Sequence, residues 1–322
     1  MFAVYAASFS SDDPLSALTV GERPDPVAEP GWTTVDVRAA SLNHHDLWSL
    51  RGVGLKEEAL PMILGCDAAG LDEDGNEVVV HAVVSDPAWT GDETLDPKRS
   101  LLSERYQGTF ADKVVVPRRN VVPKPPSLSF EEAACLPTAW LTAYRMLFTQ
   151  GGLKPGDSVL VQGAGGGVAT ALIALGRAGG LRVFATSRDE TKRQRASDLG
   201  AHEVFESNAW LPKRVDAVME TGGKATWSHS VRSLRPGGTL VVSGATSGPD
   251  VANAELTRVF FLQLRVIGST MGTRAELAAL TELLDVSGVR PVIDRVLPME
   301  RAADGFAAMN GGDVFGKVVF TR

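Results

Sequence analysis

The sequence lacks residues that several classes of protein depend on. Its 322 residues include only two cysteines, Cys66 and Cys135, too few for a disulfide framework or a four-cysteine zinc lobe. No run approaches the roughly 20 apolar residues that span a bilayer. The net charge of -7 disfavours a nucleic-acid partner, and the N-terminus has no basic region of the kind that opens a secretory signal. We therefore expect a cytoplasmic protein with no nucleic-acid and no membrane partner.

The pattern of apolar residues changes near the middle of the chain. Up to about residue 120 it reads as short strands between turn residues, such as TTVDVRAASL and GTFADKVVVP, which is typical of an irregular antiparallel β region. From Asp157, strand-like runs alternate with helical segments; the runs are SVLVQG, RVFATS, EVFE, DAVMET, TLVVSG and LRVIGST. Repeated βα units of this kind predict an α/β fold with a doubly wound parallel sheet of about six strands.

A proline-rich connector separates these two regions. In PKPPSLSFEEAACLP, Ser129 and Glu132 fit a capping box, which predicts that a helix begins there. The C-terminal FGKVVFTR is strand-like again. We therefore expect a β-rich domain built from both ends of the chain, with the α/β domain inserted between them.

The stretch VLVQGAGGGVATALIAL carries the clearest signal for binding. A buried strand ends, a glycine-rich turn follows and an apolar helix begins, an arrangement that lets backbone amides approach a pyrophosphate. A strict G-x-G-x-x-G pattern fails because Val168 occupies the third glycine position. A glycine-rich turn that binds nothing is the alternative, and the βα units after it favour a nucleotide. The predicted contacts are Gly163, Ala164, Gly166, Gly167 and Val168.

The end of the next strand predicts which nucleotide binds. NAD-binding sheets usually carry an acidic residue about 20 residues beyond the turn, but FATSRDE has Thr186 and Ser187 there, followed by Arg188. Lys192 and two arginines follow on the predicted helix. These cations would attract a 2′-phosphate, so NADP(H) is predicted over NAD(H), with contacts from Ser187, Arg188 and Lys192. The alternative is that Ser187 and Glu190 form a capping box beside solvated arginines, and the two roles can coexist.

Several segments, in chain order, resemble the medium-chain dehydrogenase/reductase superfamily. They are LNHHDLW, LPMILGCDAAG, GTFADKVVVP, LTAY, VQGAGGGVA, ATSRDETKRQRASDLGA, RVFFLQLRVIGSTM and VFGKVVF. The similarity covers essentially the full length and is greatest to quinone-oxidoreductase-like and alcohol-dehydrogenase-like members. It implies a Rossmann domain inserted in a GroES-like catalytic domain. The implied bounds are 1–125 and 268–322 for the catalytic domain and 126–267 for the NADP(H)-binding domain.

The resemblance also implies that a catalytic metal site has been replaced. Zinc-dependent members hold the metal at positions that correspond to Asn43, Cys66 and a residue near Thr138, so one possible ligand of three remains. Their structural zinc lobe would lie within residues 86–106, which contain no cysteine. Cys66 is then more simply a small buried apolar residue. No metal is predicted.

A substitute metal site is the alternative to that interpretation. His44, His45, Asp46 and Cys66 are all possible ligands. Consecutive residues of a strand point to opposite faces, so the two histidines could share one ion only if a turn brought them together.

The resemblance places the predicted catalytic residues in one segment, SLNHHDLWSLRG. Asn43 corresponds to an asparagine near the nicotinamide in quinone-reductase-like members, and His45 to a hydroxyl that relays the substrate proton in zinc enzymes. Asn43, His45 and Asp46 are therefore the predicted catalytic residues, with Asp46 orienting the turn or holding one imidazole tautomer. His44 corresponds to a residue that faces the cofactor pyrophosphate. The alternative is that one histidine is simply hydrogen-bonded inside the β domain.

Further contacts follow from the same resemblance. Ligands of such sheets bind beyond the carboxyl ends of the strands. The expected additional cofactor contacts are Thr142, Thr221, Gly222, Gly244, Ala245, Ser269, Thr270, Met271, Phe315 and Lys317. The expected substrate-pocket residues are Trp48, Cys66, Trp89 and Phe260.

Together these features predict a zinc-independent, NADPH-dependent reductase of a quinone, an enone or a similar activated carbonyl. Reduction of a conjugated alkene needs only modest polarisation of the oxygen, whereas nothing in the sequence acidifies an alcohol as zinc does. The alternatives are an alcohol dehydrogenase for a small alcohol or aldehyde, and a non-catalytic NADPH-binding regulatory protein. RVFFLQLRVIGST resembles the dimer-forming edge of relatives, which predicts a homodimer.

Overall fold

Two compact units make up the computed structural model, which describes residues 1–322. Unit 1 contains Met1–Leu141 and Met271–Arg322, and unit 2 contains Thr142–Thr270. Both ends of the chain therefore contribute to one unit, and the second unit is inserted between them in the sequence, as predicted. No helix combines the length and the apolar character that a membrane span requires.

The chain forms eighteen strands and nine α-helices. The strands are β1 (Phe2–Ala6), β2 (Leu18–Glu22), β3 (Trp32–Ser41), β4 (Met62–Ile63), β5 (Asp67–Asp72), β6 (Glu77–Val80), β7 (Val83–Val84), β8 (Ser100–Leu101), β9 (Lys113–Pro117), β10 (Val121–Pro123), β11 (Ser158–Val161), β12 (Arg182–Thr186), β13 (Glu203–Phe205), β14 (Val215–Glu220), β15 (Leu234–Val242), β16 (Arg265–Gly268), β17 (Ile293–Pro298) and β18 (Lys317–Thr321). The helices are α1 (His44–Leu50), α2 (Phe130–Ala134), α3 (Leu141–Tyr144), α4 (Gly167–Ala178), α5 (Glu190–Leu199), α6 (Trp227–Ser233), α7 (Leu256–Phe261), α8 (Arg274–Ser287) and α9 (Ala302–Asn310). Two π-helical segments, Leu136–Trp140 and Arg145–Gln150, flank α3.

Unit 1 is built around a seven-stranded sheet. Its order is β10-β6-β5-β3-β18-β17, and β9 pairs with the first half of β3. Every pairing in this sheet is antiparallel except that of β17 with β18. In the core of this unit, Phe306 stacks on Phe320, and Phe110 meets both rings edge-on. Each of these buried phenylalanines stabilises the unit by about 1.5–3 kcal/mol.

Helix α2 packs in unit 1, against β3 and β5. Residues 126–141, which the sequence assigns to the nucleotide-binding domain, lie in unit 1. The predicted capping box starts this helix. The Glu132 amide donates to Ser129 Oγ at 3.2 Å, and the Ser129 amide donates to Glu132 Oε2 at 2.9 Å.

Unit 2 is a parallel sheet of six strands in the order β13-β12-β11-β14-β15-β16. The six predicted runs are its six strands, and β11, at the centre, is buried along its whole length. Because all six strands run the same way, the residues that follow them gather at one edge of the sheet. This edge carries the predicted cofactor contacts of unit 2.

Helix α5 begins at Glu190, two residues later than a Ser187–Glu190 capping box would require. Asp189 is the N-cap, and its carboxylate accepts the Lys192 amide at 3.0 Å. The capping-box interpretation of Ser187 and Glu190 is therefore wrong, because an adjacent carboxylate satisfies the helix N-terminus. The Ser187 hydroxyl instead accepts the Asp189 amide at 3.2 Å.

Candidate active site

Strand pairing brings the end of β3 close to residues that are far away in the sequence. In the antiparallel registers, Ser41 lies opposite Asp67 on one side and opposite Val319 on the other. Two residues beyond Ser41 along the chain, Asn43 therefore meets Lys317, which is two residues before Val319. The topology thus places an amide, a carboxylate and an ammonium group together.

Asp67 is the centre of a buried polar network. Its Oδ2 accepts hydrogen bonds from Ser41 Oγ and Asn43 Nδ2, each at 2.8 Å, and its Oδ1 accepts one from Thr138 Oγ1 at 2.5 Å. The Lys317 ammonium lies 3.3 Å from Oδ2. The Asp67 and Lys317 side chains are 0% and 2% exposed, so each charge depends on the other.

Lys317 also fixes Asn43. Its Nζ donates to Asn43 Oδ1 at 2.6 Å and to the Leu42 carbonyl at 2.8 Å. The Asn43 Nδ2 donates to Asp67 and, at 3.3 Å, to the carbonyl of Ser41. Both ends of the Asn43 amide are therefore already hydrogen-bonded within the protein.

Asp46 holds the turn that leads into helix α1. Its Oδ2 accepts a hydrogen bond from the backbone N–H of Asn43 at 2.8 Å, and its Oδ1 accepts one from the backbone N–H of Gly65 at 3.0 Å. Gly65 has φ +95, and a Cβ there would lie 2.5 Å from Phe110 and Thr109, so only glycine fits. The observed role of Asp46 is thus the orientation of the turn.

The His45 ring lies between a carboxylate and a thiol. Its Nε2 is 3.2 Å from Glu104 Oε1, and its Nδ1 is 3.5 Å from Cys66 Sγ. The Cys66 thiol donates to the Leu102 carbonyl at 3.2 Å. Unlike the buried Asp67 network, His45 and Glu104 remain partly accessible, with side chains 21% and 27% exposed.

The surroundings of His45 favour its charged form. Burial alone would lower the pKa of the ring, but Cys66, Asp46 and Glu104 together raise that pKa well above the ordinary 6.5. Burial alone would raise the pKa of Glu104, but its hydrogen bonds with His45 and the Leu101 amide lower it. Burial raises the pKa of the Cys66 thiol. The His45 ring therefore favours its charged form, next to the Glu104 carboxylate.

His44 differs from its neighbour. It lies at the first position of α1 and is exposed. Partial desolvation and the cations Lys317 and Arg51 lower the pKa of its ring. At neutral pH, His44 can therefore offer a neutral N–H donor rather than a positive charge.

The other predicted residues of unit 1 fall in different places. Met271 packs with Cys66 in one small apolar cluster, and Trp48 packs against the main core. Phe315 is buried, and its amide donates to Asp294 Oδ1 at 2.9 Å. Trp89 lies on the polar loop after β7, where its indole N–H donates to the Asp92 carbonyl at 2.9 Å.

The residues at the zinc positions of relatives do not fit a zinc ion. The Asn43 oxygen accepts from Lys317, the Thr138 hydroxyl donates to Asp67, and the Cys66 thiol donates to a carbonyl. The atoms of the substitute cluster, His45, Asp46 and Cys66, lie within 4.8 Å of one another. Each Asp46 oxygen already accepts a backbone amide, so this carboxylate is held by the turn.

In unit 2, the glycine-rich turn has the geometry of a phosphate site. Gly163 has φ +81, which favours glycine, and α4 begins at Gly167 with Gly166 as its N-cap. A Cβ on Gly165 would lie 2.8 Å from the Lys192 side chain, so a cation lies beside the turn. Backbone amides at the N-terminus of a twelve-residue helix, together with this cation, suit a pyrophosphate.

The end of β12 carries no free carboxylate. Thr186 is buried, and its hydroxyl donates to Gln162 Oε1 at 2.8 Å and accepts the Gly163 amide at 3.3 Å. The side chain of Arg188 is exposed. The nearest acidic residue, Asp189, is the N-cap of α5.

A second observation in unit 2 fits a nicotinamide cofactor. The hydroxyl of Ser269, directly after β16, is shielded from solvent and has no hydrogen-bond partner. A buried hydroxyl without a partner indicates that a polar ligand binds there.

The other predicted contacts of unit 2 follow neighbouring strands. The same edge of the sheet carries Thr221 and Gly222 after β14, Gly244 and Ala245 after β15, and Thr270, while Thr142 is in α3. Phe260, on α7, is 70% exposed.

Sequence reasoning missed Glu104 as a partner of His45. Glu104 lies in the polar loop after β8, where no periodic pattern indicates which side chain turns inward. The Asp67–Lys317 pair joins residues 250 positions apart, and only the strand register reveals it. The one available signal was Asp67 itself, a carboxylate directly after Cys66.

Comparison with known proteins agrees with this architecture. Residues 29–126 match the family model described as alcohol dehydrogenase GroES-like domain, and residues 167–285 match the model described as zinc-binding dehydrogenase. The crystal structure of an NAD-dependent alcohol dehydrogenase is 34% identical, with a TM-score of 0.92 and coverage of 100% of both chains.

Two relatives with different activities are also similar over most of their length. The quinone oxidoreductase of Mus musculus is 28% identical over 91% of this chain and 90% of its own. The acryloyl-coenzyme A reductase of Sulfurisphaera tokodaii is 27% identical over 95% of this chain and 97% of its own. With both family models matched in order and the full-length structural likeness, the chain belongs to the medium-chain dehydrogenase/reductase superfamily of oxidoreductases.

Proposed function

We propose that the protein is a cytoplasmic, zinc-independent, NADP(H)-dependent reductase of quinones, enones or similar activated carbonyl compounds. The observation that carries this proposal is the state of the three candidate catalytic groups. Both ends of the Asn43 amide are engaged by Lys317 and Asp67, and Asp46 is engaged by the backbone. His45 is left as the partly exposed proton donor.

An imidazolium suits an activated acceptor better than a simple alcohol. It donates a proton, and its positive charge stabilises an oxygen that becomes negative as hydride adds to a conjugated carbon. Oxidation of an alcohol would require a base, and the raised pKa of His45 makes the ring a poor base at neutral pH. The direction of reaction favoured by this site is therefore reduction.

The protein's own residues perform a limited set of tasks in this reaction. When bound, the reduced nicotinamide cofactor supplies the hydride. The turn at Gly163 to Gly167 and the N-terminus of α4 would hold its pyrophosphate, and Ser269 would be a partner for its amide. The Nδ1–H of His45 is the proton available to the substrate oxygen. Cys66, which lies beside that ring, belongs to an apolar cluster with Met271.

Turnover with a panel of acceptors tests this function. We expect NADPH oxidation with benzoquinone and cyclohexenone to exceed NADP⁺ reduction with benzyl alcohol by about 100-fold, a difference of about 2.7 kcal/mol in activation free energy. Dialysis against a chelator should leave the rates unchanged. Stoichiometric zinc that is lost in Cys66→Ser, with alcohol oxidation as the faster reaction, would instead identify an alcohol dehydrogenase. Tight NADPH binding without turnover would indicate a regulatory protein.

The preference for NADP(H) over NAD(H) rests on the end of β12. Arg188 is exposed there, and Thr186 and Ser187 occupy the positions where NAD-binding sheets usually carry a carboxylate. A guanidinium can form two charge-assisted hydrogen bonds with a phosphate.

Arg188→Ala should therefore raise the KM for NADPH by about tenfold, the value of one charge-assisted contact, and leave the KM for NADH nearly unchanged. Steady-state kinetics with both cofactors measures the effect. Arg182→Ala is the matched control, because Arg182 is an exposed arginine at the opposite end of the same strand. Equal changes for NADPH and NADH would contradict the assignment.

A homodimer is supported by the outer edge of the unit 2 sheet. β16 pairs only with β15, so one side of its backbone is unpaired. Leu256, Phe260 and Phe261 on the preceding helix are 69%, 70% and 77% exposed. An unpaired strand edge beside exposed aromatic residues is a typical association surface.

Light scattering should accordingly give twice the 34.1 kDa chain mass. Phe261→Asp should shift the protein to the monomer, because a carboxylate would be buried without a partner in the interface. Val286→Asp is the control, since Val286 is an exposed valine of α8 in unit 1. A monomeric wild-type protein would refute the proposal.

A further inference from the structure

We propose that Glu104 is a positioning residue of the active site, which binds His45 Nε2 and thereby keeps a proton on Nδ1 for the substrate oxygen. This inference rests on the proposed function, because it states how the same site holds and supplies its proton. It adds a residue from a loop that otherwise contributes nothing to the predicted site.

The Glu104 carboxylate is itself held in place. Its Oε2 accepts the Leu101 amide at 3.0 Å and lies 3.5 Å from Ser100 Oγ, so Oε1 is the oxygen presented to His45. The same turn provides the Leu102 carbonyl that accepts the Cys66 thiol. One short segment therefore positions both neighbours of the imidazole, the carboxylate at Nε2 and the sulfur at Nδ1.

The charged and titratable groups that face His45 come from three elements. Asp46 is on the same helix, with Oδ1 3.9 Å from Nδ1; Cys66 precedes β5, and Glu104 follows β8. Asp46 is engaged by two backbone amides, and burial raises the pKa of the Cys66 thiol, which keeps it neutral. Glu104 is therefore the carboxylate that makes the shortest contact with the ring, at 3.2 Å against 3.9 Å for Asp46.

This arrangement defines a proton transfer that balances. Hydride adds to the substrate carbon, the electron pair of the conjugated bond moves to the oxygen, and that oxygen takes the proton from Nδ1 as the N–H bond breaks. His45 becomes neutral and retains its Nε2–H, which stays bonded to Glu104. Since both side chains are partly exposed, water can return the proton to Nδ1.

Glu104→Gln tests the assignment, because glutamine keeps the shape and an acceptor for the Leu101 amide but removes the charge. NMR titration of the imidazole should show a His45 pKa lower by at least about one unit than in the wild type. The alkaline limb of the kcat–pH profile should move to lower pH by the same amount, since the acid must be protonated to act. At a pH one unit above the new pKa, kcat of the variant should lie about tenfold below its own value at acidic pH. KM should change little.

Two further variants make the result specific. Glu104→Asp keeps the charge and should restore part of the pKa, whereas Glu93→Gln removes a carboxylate elsewhere in the same loop region and should change neither pKa nor kcat. An unchanged His45 pKa in Glu104→Gln would overturn the inference even if the enzyme reduces enones. If the wild type reduces no acceptor, the proposed function fails, while the NMR titration still decides whether Glu104 controls the ring.

Discussion

Replacing His45 with asparagine should lower kcat for quinone and enone reduction by about 100-fold or more, the usual contribution of a positioned general acid. Asparagine can still donate a hydrogen bond, but it cannot release a proton at neutral pH. No other group can replace the lost acid, because Asn43 and Asp46 are fully engaged within the protein. KM should change far less than kcat, since the proton is transferred only as the transition state forms.

The pH dependence identifies the group independently of the rate. The pKa of His45 is raised well above 6.5, so the acid is protonated below that raised pKa and lost as the pH rises through it. Wild-type kcat should accordingly be steady around neutrality and fall on the alkaline side, and His45→Asn should lack this limb. His202→Asn is a suitable control, because His202 is an exposed histidine of unit 2. A His45→Asn enzyme with the wild-type rate and profile would remove His45 from the mechanism.

The fold could be predicted from the sequence because its signals are local. Each strand of unit 2 is a short apolar run that lies between turns or helices, and the glycine-rich turn after β11 can be identified without any tertiary information. The same is true of the helix that begins after Ser129, whose cap depends on residues three positions apart. Such features are set by backbone chemistry within a few residues.

The connections inside the site could not be predicted in the same way. The sequence proposes Lys317 as a cofactor contact, whereas the structure buries its ammonium against Asn43 and Asp67, contacts that follow only from the register of β18 on β3. His45 and Asn43 looked equally able to serve the substrate. They differ because the Asn43 side chain is already hydrogen-bonded to Asp67 and Lys317. The residue type alone does not reveal these bonds.

The buried pair has the second large consequence, for stability. Lys317→Met should lower the free energy of unfolding by about 3–5 kcal/mol, the usual cost of removing one partner of a buried ion pair. Methionine fills much of the same volume, so the loss comes from charge rather than from a cavity. It leaves the Asp67 carboxylate buried with only the neutral donors Ser41, Asn43 and Thr138. Urea denaturation measures the change.

Lys113→Met is the matched control, because Lys113 pairs with Asp25 at 3.3 Å and the two side chains are 42% and 60% exposed. An exposed pair of this kind contributes about 0–1 kcal/mol, so the same substitution there should have little effect. Equal losses for the two variants would show that Asp67 does not depend on Lys317.

A second substitution separates charge from packing. In Lys317→Met with Asp67→Asn, neither member of the pair is charged, so the double variant should be more stable than Lys317→Met alone, although it carries more changes. Asn43 would then lose the cation that holds its carbonyl oxygen, and its amide could turn toward the substrate. A gain in stability without a gain in activity is therefore the expected outcome, because the ion pair fixes Asn43 while the acid at His45 acts on the substrate.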